Sequence, residues 1–299
     1  MKGDFGRAYR RIMMAWTMEE AGEYRALARA IHPDLNGDEP RSGEAMAKLQ
    51  ELNSAVGSYL KLPKVDYAQK MDVGDIADVY LVKAGDRHSM LKVASDKRDN
   101  DLLETEAKRL WSIGGIFAPL LEETLMLDGK AGNMLEYQRR DDVVALEYLD
   151  KGLDFRHVVW MARRLMGALG KAHEMGFVHG AVLPRHLLFM RSNHGIRLVD
   201  WCYSVGIGEK LRVMVASQDE YYPPEIKRGV KVGPDFDIYM AAKCLGRITD
   251  IPKKFRPWFE KATLGQPRNR WQNAWEAYDS ITKLAKEVYG PPHFMEFPD

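Results

Sequence analysis

The sequence predicts an α+β chain in two parts, a small N-terminal helical hairpin followed by a larger two-lobed domain in which strands precede helices. Three observations lead there. Apolar residues in the first sixty positions recur at helical spacing. Between about residues 75 and 94 that spacing gives way to alternation, and from residue 155 onward long amphipathic stripes return. Strands first and helices afterwards indicate an α+β arrangement.

Each element follows from its residues. Phe5, Tyr9, Ile12, Met13 and Trp16 share one helical face. Thr17 stands three residues before Glu20, a capping-box spacing that opens a second helix with Ala21, Tyr24, Leu27, Ala28 and Ile31 on one stripe. Pro33 disfavours helical geometry in His32 and ends it. Asn36 to Pro40 is turn chemistry, and Met46, Leu49, Leu52, Val56 and Leu60 mark a third helix. Helices two and three therefore pair as an antiparallel hairpin with His32-Pro33-Asp34 at the start of the connection, and Lys61 to Lys64 is a short linker. Asp75–Lys83 and Met90–Ala94 read as partnered strands, Leu102–Trp111 as a helix and Val143–Leu149 as another strand. Phe155, Val158, Val159, Ala162, Leu165, Met166, Leu169 and Ala172 form a long helix. Trp275, Tyr278, Ile281, Leu284 and Val288 form the last one, stopped by Gly290-Pro291-Pro292.

Composition narrows the function classes. The 299 residues are 45% hydrophobic and 29% charged, as in ordinary globular proteins. Lys plus Arg total 44 against 43 for Asp plus Glu, a balance that gives no reason to expect nucleic acid or a membrane surface as partner. Cys202 and Cys244 are the two cysteines, which implies neither a disulfide framework nor a thiolate zinc motif. With no signal-peptide core and no apolar run of membrane-spanning length, the cytoplasm is the expected location.

The segment from Tyr24 to about Leu60, with His32-Pro33-Asp34 between amphipathic helices and Leu52-Asn53-Ser54-Ala55 in the last of them, resembles a J-domain. That resemblance implies docking to a heat-shock chaperone ATPase through His32, Pro33 and Asp34 and through a basic face formed by Arg25 and Arg29. Glu19, Glu20 and Glu23 depart from so basic a face.

From about residue 70 to 288 the chain resembles a protein kinase. Asp72-Val73-Gly74-Asp75-Ile76-Ala77 stands at the glycine-rich loop, Leu91-Lys92-Val93-Ala94 at the lysine strand, and Leu103-Glu104-Thr105-Glu106-Ala107 at the glutamate helix. Val178-His179-Gly180-Ala181-Val182-Leu183-Pro184-Arg185-His186 matches the catalytic loop, and Leu198-Val199-Asp200-Trp201-Cys202 the metal-binding segment. Pro223-Pro224-Glu225 closes an activation segment, Asp237-Ile238-Tyr239 anchors the loop, and Arg270 or Arg268 pairs with Glu225. The organisation expected is a J-like module over 1–62, a kinase-like domain over 66–290 with lobes of about 66–150 and 151–290, and a tail over 291–299 that docks back through Phe294 and Phe297 or binds a partner.

The resemblance implies ATP and Mg²⁺ as ligands, with Gly74, Lys92, Glu106, Glu147 and Asp200 as nucleotide-binding residues and Asp200 as metal ligand. It also shows what is lost. Ala181 stands where an aspartate orients the attacking hydroxyl, Leu183 replaces a phosphate-contacting lysine, and His186 replaces a metal-binding asparagine. His186 either ligates metal beside Asp200 or fills the slot; His179 reads as a brace for the segment carrying Asp200. Cys202 in place of glycine restricts that segment's backbone, and Ser217, Tyr221 and Tyr222 are candidate modification sites. The expected function is a catalytically impaired kinase-like protein with a J-domain, a co-chaperone-like adaptor. The alternatives are an active phosphoryl- or nucleotidyl-transferase with a non-standard site, and an interaction protein that has inherited both modules as scaffolds.

Overall fold

A computed structural model describes residues 8, 12, 27, 30, 31, 41, 44–49, 62, 65–115, 117–138, 142–149 and 152–297. Ile12, Leu27, Ile31, Ala45 and Leu49 are helical and buried. The hairpin loop His32-Pro33-Asp34 and the basic pair Arg25 and Arg29 lie outside the described residues. The chain divides into two compact units, one drawn from Met1–Asn100 with Glu122–Arg140, the other from Asp101–Leu121 with Asp141–Asp299.

In the first unit, β1 (Tyr67–Val73), β2 (Ala77–Ala84), β3 (Arg87–Ala94), β4 (Leu121–Leu127) and β5 (Lys130–Glu136) form one sheet in the order β1-β2-β3-β5-β4. β2 opens at Ala77 rather than at the expected Asp75, because the Gly74 amide donates to the Ala77 carbonyl at 2.9 Å and leaves Asp75 and Ile76 in the turn. A Cβ on Gly74 would meet that same oxygen at 2.7 Å, so the turn itself demands glycine. In β2 the expected alternation is incomplete. Leu81 and Val82 are both buried, one on each face. Val82 joins Ala68, Leu91 and Val93 in a cluster lined by Leu62, Val65 and Leu125. β4 and β5 are joined at Asp128-Gly129, both at positive φ (52° and 79°), as a two-residue hairpin turn requires.

The second unit is mostly helical. It includes α1 (Asn100–Ile113) from Asp101 onward, α2 (Phe155–Glu174), α3 (Pro234–Gly246), α4 (Arg256–Ala262) and α5 (Ala274–Tyr289). Asp154 caps α2 by accepting from the Arg156 amide at 2.9 Å. Arg163 on α2 donates to Thr282 and Tyr278 on α5, and Gly170 lies so close to the Trp275 ring that a Cβ would stand 2.6 Å from it. Gly290 ends α5 at φ 81°, where the sequence places its stop.

One expected strand is corrected. β6 covers only Val143–Ala145, after which Leu146–Tyr148 turns as a short 3₁₀ segment carrying Glu147. β6 pairs with β8 (Leu187–Met190) from Val143 opposite Met190 to Ala145 opposite Leu188, and with no further partner residues the ladder stops. β8 pairs in turn with β9 (Ile196–Leu198). The segment 293–297 does fold back: Phe294 stacks on His194 at 4.3 Å, Phe297 meets His157 at 5.2 Å, and the Met295 carbonyl lies 2.8 Å from His194 Nε2.

Arg270, not Arg268, pairs with Glu225, through two bonds of 2.5 and 2.8 Å with both side chains buried. Removing one partner of such a pair strands a charge in the interior. Arg270→Ala is expected to lower the unfolding free energy by about 3–5 kcal/mol in chemical denaturation, and Glu225→Gln to cost less because it keeps one acceptor.

Candidate functional site

The second unit gathers the residues matched to the catalytic loop around one buried carboxylate. β7 (Phe177–Val178) leads into the loop, and Pro184–His186 forms a 3₁₀ turn before β8. Asp237, in the first turn of α3, is fully buried. Its Oδ2 accepts from the His179 amide at 2.8 Å and its Oδ1 from the Gly180 amide at 2.9 Å. His173 Nε2, from the last turn of α2, lies 2.9 Å from the same Oδ2.

His179 is wholly internal. Its Nε2 faces the Val199 carbonyl at 2.9 Å and its Nδ1 accepts from the Ala181 amide at 3.2 Å. That pair of contacts requires the neutral tautomer with hydrogen on Nε2. Burial pushes its pKa down to about 4, partly offset by Asp237. The ring packs 4.6 Å from Trp201, so it holds the chain on both sides of Asp200.

His186 mirrors it. Nδ1 lies 2.8 Å from the Ala181 carbonyl and Nε2 3.1 Å from Asp200 Oδ2. Asp200 takes a left-handed backbone (φ 65°, ψ 47°), and Trp201–Tyr203 follows as a buried 3₁₀ turn. Trp201 donates to the Leu198 carbonyl at 2.7 Å and contacts Phe117 and Phe177. Ligand atoms of Glu106, Asp200 and Cys202 lie within 4.8 Å of one another, with Glu106 and Cys202 buried. The resemblance already groups Glu106 with Asp200; nothing in the sequence spacing places Cys202 with Glu106 on α1.

Ala181, Val182 and Leu183 are completely buried. The two positions that the resemblance matches to an aspartate and a lysine, Ala181 and Leu183, are thus apolar and packed inside. Arg185, on the same loop, is exposed. Magnesium prefers near-octahedral oxygen ligands. The imidazole and thiol beside Asp200 do not match that preference.

The segment after Asp200 is tied to α1 at Ser204 and Arg212. Arg212 pairs with Asp101 and donates to Thr105, while Arg109 donates to Ser204 and lies over the Phe177 ring. Of the three candidate modification sites only Ser217 is exposed; Tyr221 and Tyr222 are buried, which corrects that expectation, and the Tyr222 hydroxyl accepts from the Val215 amide. In the first unit, Lys92 is buried on β3, opposite Val79 and Asn133. Asn133, also buried, is a polar neighbour on β5 that the sequence reading passes over. Glu147 is half-buried in its 3₁₀ turn.

No protein-family model matches the chain. Three curated relatives do, each at 23% identity over 165 residues: the serine/threonine-protein kinase PknK of Mycobacterium tuberculosis strains CDC 1551 and H37Rv and of Mycobacterium bovis. The match takes in 52% of this chain and 14% of each relative. About half of the chain is therefore distantly similar to a serine/threonine protein kinase.

The state of His179 sets a pH dependence. Its pKa falls on folding, so the unfolded chain holds the extra proton between about pH 6.5 and 4 and stability declines as pH drops through that window. His179→Gln is expected to flatten that part of the denaturation midpoint-against-pH curve; an unchanged slope counts against the assignment.

Proposed function

We propose that the chain is a kinase-like protein impaired in phosphoryl transfer, joined to a J-like module that recruits a heat-shock chaperone ATPase, and that it acts as a co-chaperone-like adaptor. The observation that carries the first half is the burial of Ala181 and Leu183 in a loop fixed by Asp237. A methyl and an isobutyl group can neither take up a proton nor neutralise a phosphate, and transfer depends on both kinds of help. The distant similarity of about half the chain to a serine/threonine kinase supports a kinase-like reading. His32-Pro33-Asp34, with Arg25 and Arg29, supports the second half from sequence alone.

Nucleotide binding belongs to the same proposal, through Lys92, Glu106 and Asp200, with Gly74 and Glu147 as the remaining sequence-matched positions. If bound, ATP supplies a phosphate chain for the Lys92 ammonium to pair with. The amide of Gly74 is already engaged within its own turn, so the phosphates gain nothing from it.

A second reading, a transferase with rearranged chemistry, is favoured by His186 standing 3.1 Å from Asp200. Incubation with γ- or α-labelled ATP and Mg²⁺ or Mn²⁺ separates the two. The adaptor reading expects no label on protein; label that disappears in Asp200→Ala establishes the transferase.

Two further measurements test the adaptor. ATP at saturating concentration should raise the unfolding temperature of the wild-type chain and leave that of Lys92→Met unchanged, because a ligand specific to the native state must stabilise it. A heat-shock ATPase should hydrolyse ATP faster with the wild-type chain than with His32→Gln. Rates equal to buffer in both cases refute recruitment.

A further inference from the structure

The second unit carries a groove apart from the surroundings of Asp200. One wall is α2, with His157, Trp160 and Arg164; the other is the turn between β8 and β9, with Arg191 and His194. The His194 carbonyl accepts from Trp160 Nε1 at 2.6 Å and from Arg164 Nε at 2.9 Å. The His194 ring packs 4.1 Å from the Trp160 ring, which is backed by buried Phe189 at 5.7 Å. None of these contacts involves the segment 293–297, so the groove is built without it. A preformed groove spares its ligand the cost of ordering the receptor.

Residues 294–297 occupy the groove lightly. Phe294 stacks on His194 yet keeps 60% of its surface exposed. Phe297 lies 5.2 Å from His157 and 6.0 Å from Trp160, ring centre to ring centre. His194 Nε2 donates to the Met295 carbonyl at 2.8 Å, since that oxygen can only accept. Among the described residues this is the one hydrogen bond from 293–297 to the rest of the unit, and the segment has no helix or strand of its own. Segments held so sparsely open at the low end of a protein's local stability. An unmet donor stands beside Phe297. The Arg191 guanidinium lies 5.8 Å from that ring centre, and its Nε is buried without an acceptor among the described residues. A buried N–H left unpaired is costly, and a carboxylate placed there removes the cost with a charge-assisted bond.

We propose that this groove is a docking site for a partner protein's segment with two aromatic residues three positions apart and an acidic residue close behind the second, and that residues 294–297 are its resident competitor. The tail is the template: Phe294 and Phe297 supply the rings, the Met295 carbonyl supplies the acceptor, and the sequence continues as Pro298-Asp299. Ring pockets that select side chains around a backbone hydrogen bond are a common way to read short peptides. Arg164 and Arg191, one on each wall, favour an acidic segment over a basic one. A partner displaces the tail once its affinity exceeds the threshold that the tail sets. The groove goes beyond the adaptor reading and does not depend on it.

The full chain carrying Phe294→Ala and Phe297→Ala frees the groove, and its binding of a fluorescent peptide with the sequence of residues 291–299 is followed by anisotropy. Saturable binding is expected, weaker by about tenfold or more when both phenylalanines of the peptide are alanine. Asp299→Asn in the peptide should weaken binding to this chain and make no difference once Arg191→Ala is added. The wild-type chain should bind the same peptide about tenfold or more less well, because its tethered tail competes at high effective concentration. Equal binding by the wild type and the double variant, or binding indifferent to the phenylalanines of the peptide, overturns the proposal. Loss of a cooperative unfolding transition in the double variant also overturns it, by making the tail a fixed part of the core. A wild-type chain that dimerises while the double variant stays monomeric replaces the partner by a second copy and overturns it as well.

Discussion

The loop at the centre of the second unit depends on one carboxylate. Asp237 has no exposure to solvent, and its two oxygens receive the amides of His179 and Gly180 together with His173. A buried carboxylate is costly unless its lone pairs are met by donors, and here three N–H groups approach it. In return it fixes the backbone from which both internal histidines project. His179 reaches forward to Val199 and His186 to Asp200, so the positions of both ends of the Asp200 segment follow from the first contact.

Around that anchor the packing is apolar. Ala181 and Leu183 pack as core residues, and Trp201 with Phe117, Phe177 and His179 forms an aromatic floor under the Asp200 turn. Side chains of this kind contribute by burial rather than by reacting. A loop held by backbone hydrogen bonds to a buried carboxylate and the content of a hydrophobic core therefore coexist in one segment.

Much of this was legible in the sequence, for identifiable reasons. Long amphipathic stripes specify α2 and α5 because a helix must bury one face, and the Gly290-Pro291-Pro292 stop coincides with the end of α5. The Asp237 anchor and the Glu225–Arg270 pair follow from ordered motifs. β1, β4 and β5 lack a strong alternating signature, although Asp128-Gly129 is a hairpin signal for the last two. β6 is shorter than its apolar run, because such a run says nothing about where the partner strand ends. Tyr221 and Tyr222 looked accessible since burial of a tyrosine is a tertiary property. The nearness of Cys202 to Glu106 joins distant positions, and no local pattern encodes it.

Gly180 links two stretches of backbone. It sits at φ 79°, and a Cβ there would lie 2.8 Å from both the Tyr203 carbonyl oxygen and the Leu211 side chain. Any larger residue must first be accommodated by backbone movement at Tyr203, the very turn that follows Asp200. A side chain at position 180 and the present backbone at Tyr203 thus exclude each other, so the loop and the turn after Asp200 can change shape only together.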